Sequence, residues 1–367
     1  MVARDLGKNL LLLLVTLAVC VPLTEGAVRL MLPQALSGAW RIQTETGLLV
    51  NKSHGSSRHQ SGQRVVRYRF GEPHLRAITH IRAGRARKVL VLGDSFTFGW
   101  LLNDVDTYVA RLQQLVDAEF GGGSFVLLDA AAGGWGTADY LFFLEDFGPQ
   151  IRPDAVLVFV NTDDIGRSLT SPLLRVRNSA QGYVAERVSV PPSRLKQWLN
   201  TEPAYSAYQW ILEHSHLIQL IRKTVLQRFA GANVGLAERT AIGPRSEPSV
   251  AGPDPRAVGE ALFRRMRDWC AAHDAALWVT TTGFHNWEAD GSPSSEPTAV
   301  FMASATRTFI DLRVPYLDIS PVIGETMRSA PEMYTIAGDG HPNERAAQLI
   351  ANAVYGGFLR ERLLELR

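Results

Sequence analysis

Across 367 residues, 38 Lys and Arg face 36 Asp and Glu, leaving a formal net charge of +2. That balance gives nucleic-acid binding no support from bulk electrostatics. With 46% hydrophobic and 20% charged residues the chain is not a disordered or low-complexity one, and its length suffices for one substantial core plus an insertion. Cys20 and Cys270 are the only cysteines. They are not expected to pair, and no metal-ligand spacing accompanies them, so no metal and no cofactor are expected.

At the N-terminus, Arg4 and Lys8 precede an apolar run from Leu10 to Leu23. A basic flank before such a run marks a secretory signal or a signal anchor. The run has about 14 residues, short for a full bilayer span and right for a signal core. Thr24-Glu25-Gly26-Ala27 is a poor cleavage site, and Val19 before Cys20 is a poor lipoprotein site. Residues 1–30 therefore read as a signal peptide or membrane anchor, with the anchor favoured. The rest is expected outside the cytoplasm, in the cell envelope or secreted. The competing reading is a buried first helix, which a run apolar on all faces disfavours.

Residues 31–87 read as an extension with few regular elements. Asn51 to Gln63 is polar and reads as loop, while Val65 to Phe70 alternates and reads as a short strand. Arg82, Arg85, Arg87 and Lys88 form a basic, solvated stretch before the next element.

From Lys88 the pattern becomes regular. Lys88–Leu92, Phe125–Asp129, Ala155–Val160, Ala276–Thr281 and Tyr316–Asp318 are short apolar runs of the kind buried on both faces of a sheet. Asp106–Glu119, Thr137–Phe147, Pro255–Ala272, Thr298–Leu312 and Pro342–Arg362 carry helical spacing. This alternation predicts an α/β domain over 88–367, a five-stranded, mainly parallel sheet between two helical layers. Residues 166–253 interrupt the rhythm and read as a partly helical insertion after the third strand. Within it, Ala207 to Phe229 is amphipathic. His214 lies on its apolar face and His216 off it, and both read as helix residues rather than catalysts.

Four segments fall at carboxyl edges of these strands or beside the last helix, where open α/β sheets bind ligands. The first is Gly93-Asp94-Ser95-Phe96-Thr97-Phe98-Gly99. Alone, Gly-Asp-Ser is only a turn after a strand, but a serine there becomes a nucleophile if a base reaches it. The second segment, Asp129 to Thr137, holds Gly133, Gly134 and Gly136; the third is Asn161-Thr162-Asp163-Asp164; the fourth is Asp339-Gly340-His341-Pro342-Asn343. His341 can take the Ser95 proton and return it to a leaving alcohol, and Asp339 can hold the imidazole in the required tautomer. Pro342 suits the first turn of the final helix.

In this order the four segments resemble the SGNH/GDSL hydrolase family, from Lys88 to the C-terminus apart from the insertion. The resemblance implies a flavodoxin-like α/β/α fold, Ser95 as nucleophile and His341 as base. It also implies an oxyanion hole built from the Ser95 N–H, the Gly134 N–H and a side chain at position 163. There the sequence departs from the family, because Asp163 replaces an asparagine and an ionised carboxylate repels an oxyanion. Asp163 protonated by burial, Asn161 donating instead, or two backbone donors alone would each resolve the conflict. His285 is the rival base. Asp94 is expected to order the nucleophile loop, and Trp100, Trp135 and Trp287 flank the site.

The reading is an exported or membrane-anchored serine ester hydrolase acting through an acyl-serine on an ester-bearing small molecule or glycan. Transfer to, or deacetylation of, envelope polysaccharide is one alternative. A catalytically weak SGNH-like binding domain is the other.

Overall fold

The computed structural model describes residues 2–77, 86–161, 163–179, 182–230, 254–283, 297–327 and 330–366. An N-terminal helix, α1 (Val2–Met31), is followed by five short strands, β1 (Arg41–Gln43), β2 (Leu49–Asn51), β3 (Gly55–Ser61), β4 (Arg64–Gly71) and β5 (Leu75–Arg76). The α/β part then runs β6 (Arg87–Leu92), α2 (Ser95–Phe98), α3 (Tyr108–Phe120), β7 (Phe125–Asp129), α4 (Thr137–Ile151), β8 (Ala155–Val160) and α5 (Asp164–Thr170). A hairpin, β9 (Leu174–Ser179) and β10 (Gly182–Arg187), and helices α6 (Arg194–Leu199), α7 (Ala204–His214) and α8 (His216–Ala230) come next. The chain ends with α9 (Pro255–Ala272), β11 (Ala276–Thr281), α10 (Pro297–Leu312), β12 (Tyr316–Leu317), α11 (Ser320–Met327), α12 (Glu344–Val354) and α13 (Arg360–Glu365).

β6, β7, β8, β11 and β12 pair in parallel in the spatial order β7-β6-β8-β11-β12. Counted along the chain this is 2-1-3-4-5, the flavodoxin-like order, with its switch point between the first and third strands. Side chains alternate across the sheet. Val89, Val91, Leu127, Leu157 and Phe159 pack on the side of α3 and α12. Leu90, Leu92, Leu128, Val156 and Val158 pack on the side of α4, α9 and α10. Both faces are buried, which is why these strands read as continuous apolar runs.

In the extension the strand expected over Val65 to Phe70 is present as β4, but the preceding stretch differs from its sequence reading. Residues 51–63, expected as loop, contain β3, which pairs antiparallel with β4 along its whole length. β4 pairs with β5, and β5 with β7, so the sheet has eight strands rather than five. Gly62, at φ 55°, opens the two-residue turn of the β3–β4 hairpin. β3 is polar along its length, and its buried His59 is covered by the rings of Trp40, Tyr68 and Trp100. The signal for this strand thus lies in its partners and not in its own composition.

α1 extends well beyond the apolar run that marks it. Gly7–Met31 is 25 residues, its most apolar 18-residue stretch has mean hydropathy 2.2, and it is long and apolar enough to cross a bilayer. Leu10 to Leu14 are all more than half exposed. Near its end, Glu25 accepts hydrogen bonds from the His216 and Leu217 N–H groups and the Ser215 hydroxyl, capping α8. The remainder of the insertion leans on the extension. Glu213 accepts from the Arg58 N–H at 2.8 Å, Lys52 donates to Gln209 at 2.8 Å, and the Tyr205 hydroxyl donates to the Ala39 carbonyl at 2.7 Å. His214 stacks on Trp210, and His216 Nδ1 accepts from the Gln34 N–H, so both histidines serve structure. Cys20 is exposed, Cys270 is buried, and the two are unpaired.

Asp129, at the end of β7, is fully buried, and burial pushes its carboxyl up to about 7. Its folded pKa lies above its unfolded value, so between about pH 4 and 7 the folded state binds the extra proton. Stability therefore falls as pH rises through that window. Asp129→Asn is expected to raise the melting temperature at pH 8, to leave it nearly unchanged at pH 4, and to flatten the slope between. Calorimetry across that range checks this; equal shifts at pH 4 and pH 8 would count against it.

Candidate active site

Ser95 is the first residue of α2, a single turn directly after β6. The turn is tight. A Cβ on Gly93 would fall 1.8 Å from Thr97 Oγ1, so only glycine fits between the strand and the turn. Asp94 Oδ1 accepts from the Phe96 N–H at 2.8 Å, which is the ordering role expected of it. Gly99 closes the turn at φ 72°. The buried Arg76 of β5 donates to the carbonyls of Gly99 and Leu102, pairs with Asp104, and lies over the Tyr68 and Phe98 rings. The extension thereby supports the loop that follows Ser95.

His341 comes from the opposite end of the chain. Its Nε2 lies 2.9 Å from Ser95 Oγ, and its Nδ1 lies 2.5 Å from Asp339 Oδ1. Asp339 also accepts from Trp100 Nε1 at 3.2 Å and from the His341 backbone N–H at 3.3 Å. Burial pushes the Asp339 carboxyl up, but the hydrogen bond and charge of His341 and the Trp100 N–H outweigh it, and the net shift is downward. The carboxylate therefore stays ionised through the acid range where an ordinary aspartate begins to protonate.

Pro342 is not in the first turn of the last helix. Asn343 caps α12 by accepting from the Arg345 and Ala346 N–H groups, and the helix begins at Glu344. The loop instead fixes His341. Its carbonyl accepts from the Ile336 N–H at 2.8 Å, Pro342 bridges to Thr335, and Gly338 and Gly340 turn the chain with positive φ.

Gly134 also has positive φ, 79°, and Gly133 faces the serine: a Cβ there would meet Ser95 Cβ at 3.9 Å. Among the described residues, neither the Ser95 N–H nor the Gly134 N–H has a hydrogen-bond acceptor.

The Asp163 side chain is 55% exposed and takes a hydrogen bond from Arg167 at 3.2 Å. The Asn161 side chain is committed, its Nδ2 donating to Asp94 Oδ2 at 3.0 Å and its Oδ1 accepting from Thr282 at 2.9 Å. Arg167 joins three of the segments. It donates to Asp94 Oδ2 and the Trp135 carbonyl as well as to Asp163, and it lies 3.8 Å from the buried Asp164. Sequence reading missed this residue, although its i, i+4 and i, i+3 spacing from Asp163 and Asp164 on a helix was the available signal. Asp163→Asn is expected to change kcat on a neutral ester by less than about threefold; a change near the 10²-fold scale of an oxyanion contact would place the side chain in the hole.

Of the tryptophans, Trp135 is core, its Nε1 donating to the Leu49 carbonyl, whereas Trp100 holds Asp339. His285 and Trp287 lie outside the described residues. His59, which the sequence reading left in a loop, sits beside this cluster at 4.5 Å from Trp100, with both ring nitrogens lacking a partner among the described residues. Burial drives its pKa to about 4, so it is neutral at physiological pH.

A sequence profile of the GDSL-like lipase/acylhydrolase family matches residues 91–299, more than half of the chain. The protein belongs to that family. It is accordingly an ester-hydrolysing enzyme with a mixed α/β fold. Among solved structures, the psychrotrophic esterase EstA from Pseudoalteromonas sp. is 14% identical with TM-score 0.41, over 76% of this chain and 99% of that one. The acetyl xylan esterase AlAXEase is 14% identical with TM-score 0.43, over 74% and 100%. A variant of Axe2, an acetyl xylan esterase from Geobacillus stearothermophilus, is 13% identical with TM-score 0.41, over 74% and 94%. Among curated proteins, none matches the sequence significantly. Ser95 and the Asp129–Thr137 glycines of this acylhydrolase fall within the matched segment; Asp339, His341 and the whole extension lie beyond it.

Proposed function

We propose that this acylhydrolase is an exported or membrane-anchored serine esterase that works through an acyl-serine intermediate. One observation carries the reading: the unbroken chain of hydrogen bonds from Ser95 Oγ through His341 to Asp339. His341 Nε2 takes the hydroxyl proton as Ser95 Oγ attacks the ester carbonyl, and Asp339 stabilises the imidazolium that forms. The tetrahedral oxyanion is met by the Ser95 and Gly134 N–H groups, with no side chain from position 163. His341 then protonates the leaving alcohol, and the acyl group passes to water activated by the same imidazole.

A fluorophosphonate probe tests this reading. It is expected to label the purified protein at Ser95, and labelling that persists in Ser95→Ala would refute the assignment. Export is supported by Arg4 and Lys8 ahead of the exposed apolar run of α1. An alkaline phosphatase joined after Arg87 is expected to be active; an inactive, well-expressed fusion would place the domain in the cytoplasm.

A further inference from the structure

The β1–β2 hairpin of the extension grips the glycine loop at three points. Asn51 Nδ2 donates to the Ala131 carbonyl at 2.9 Å, Trp135 Nε1 donates to the Leu49 carbonyl at 2.6 Å, and Arg41 Nη1 donates to the Gly133 carbonyl at 2.8 Å. The third contact bears on chemistry. The Gly133 carbonyl and the Gly134 N–H belong to one trans peptide unit, so they point in opposite directions. Holding the carbonyl at one end fixes the direction of the N–H at the other. Gly134 needs such a restraint, since a glycine at positive φ, preceded by a second glycine, resists rotation poorly. The same guanidinium lies 3.6 Å from where a Gly134 Cβ would stand, so it covers this peptide closely. A cation on the carbonyl oxygen also polarises the amide, making its N–H a stronger donor.

We infer that Arg41 is a positioning residue for the oxyanion hole. From outside the segment that matches the family, it orients and strengthens the Gly134 N–H through the Gly133 carbonyl. This accounts for how a hole without a side-chain donor at position 163 can still stabilise an oxyanion. The inference rests on the assignment of Ser95 and Gly134 above.

The test uses p-nitrophenyl acetate, a neutral ester, so that charge recognition of the substrate does not enter. Arg41→Met keeps the apolar stem and removes the donor. It is expected to lower kcat by about 10- to 100-fold with KM within about twofold, part of the 10²–10³-fold scale of a lost oxyanion donor. Fluorophosphonate inactivation is expected to slow in parallel, because the phosphoryl oxygen occupies the same hole. Arg41→Lys, which can still donate to one carbonyl, is expected to recover most of the loss, and the melting temperature should not track activity across the series. If Arg41→Met does not fold, Arg41→Gln is the substitute, with at least a tenfold loss of kcat expected. A kcat within threefold of wild type, or a loss confined to KM, overturns the inference while leaving Ser95 in place. Absence of Ser95-dependent turnover and labelling in the wild-type protein overturns the parent reading, and this one with it.

Discussion

Ser95→Ala is expected to reduce ester turnover by about 10⁴-fold or more, down to whatever the oxyanion donors and binding supply alone. His341→Ala should lose nearly as much. The double variant should lose little beyond either single change, because nucleophile and base act as one unit through a single proton transfer. The structure motivates this non-additivity with a 2.9 Å contact between Ser95 Oγ and His341 Nε2. Initial rates on p-nitrophenyl acetate measure it. Losses that multiply in the double variant would mean that the two residues act in separate steps. Circular dichroism separates chemistry from misfolding, since Ser95 and His341 are both buried.

Asp339→Asn is the second large effect, about 10⁴-fold in kcat. The carboxylate accepts three N–H groups: His341 Nδ1–H, the His341 backbone N–H and Trp100 Nε1–H. An amide has one oxygen to offer. If that oxygen stays with Trp100, the amide NH₂ faces His341 Nδ1 and forces the proton onto Nε2, where it blocks acceptance from Ser95. Adding Trp100→Phe removes the competing donor and lets the amide oxygen turn to the imidazole, so the double variant should regain about tenfold over Asp339→Asn. If Asp339→Asn stays within tenfold of wild type, Asp339 does not set the tautomer. The lowered pKa of Asp339 fixes the sign of any pH effect. Its contribution is complete above the ordinary carboxylate range and disappears only as pH falls through its depressed folded value.

The local chemistry of single segments was legible in the sequence. β7, β8 and β11 occupy the spans their apolar runs marked, because strands buried on both faces carry an unbroken apolar signature. Gly93 was legible for a similar reason, since a turn that tight leaves no room for a side chain there. Of the extension only β4 was legible, from the alternation of Val65 to Phe70. β3 is built from Ser, Arg, His and Gln after its first glycine, and only the rings of Trp40, Tyr68 and Trp100 make its burial of His59 tolerable. The joining of Asp163 to Asp94 and the Trp135 carbonyl through Arg167 was also hidden, because two of those three contacts are long-range. The seating of Arg41 and Arg76 on the two loops around Ser95 was hidden for the same reason. The sequence determined which residue types stand at the carboxyl edge of the sheet, since periodicity and turn chemistry are local. Only the tertiary structure decided how the loops around the serine are tied together, because a hydrogen bond between residues 41 and 133 or 94 and 167 leaves no pattern in either stretch of chain.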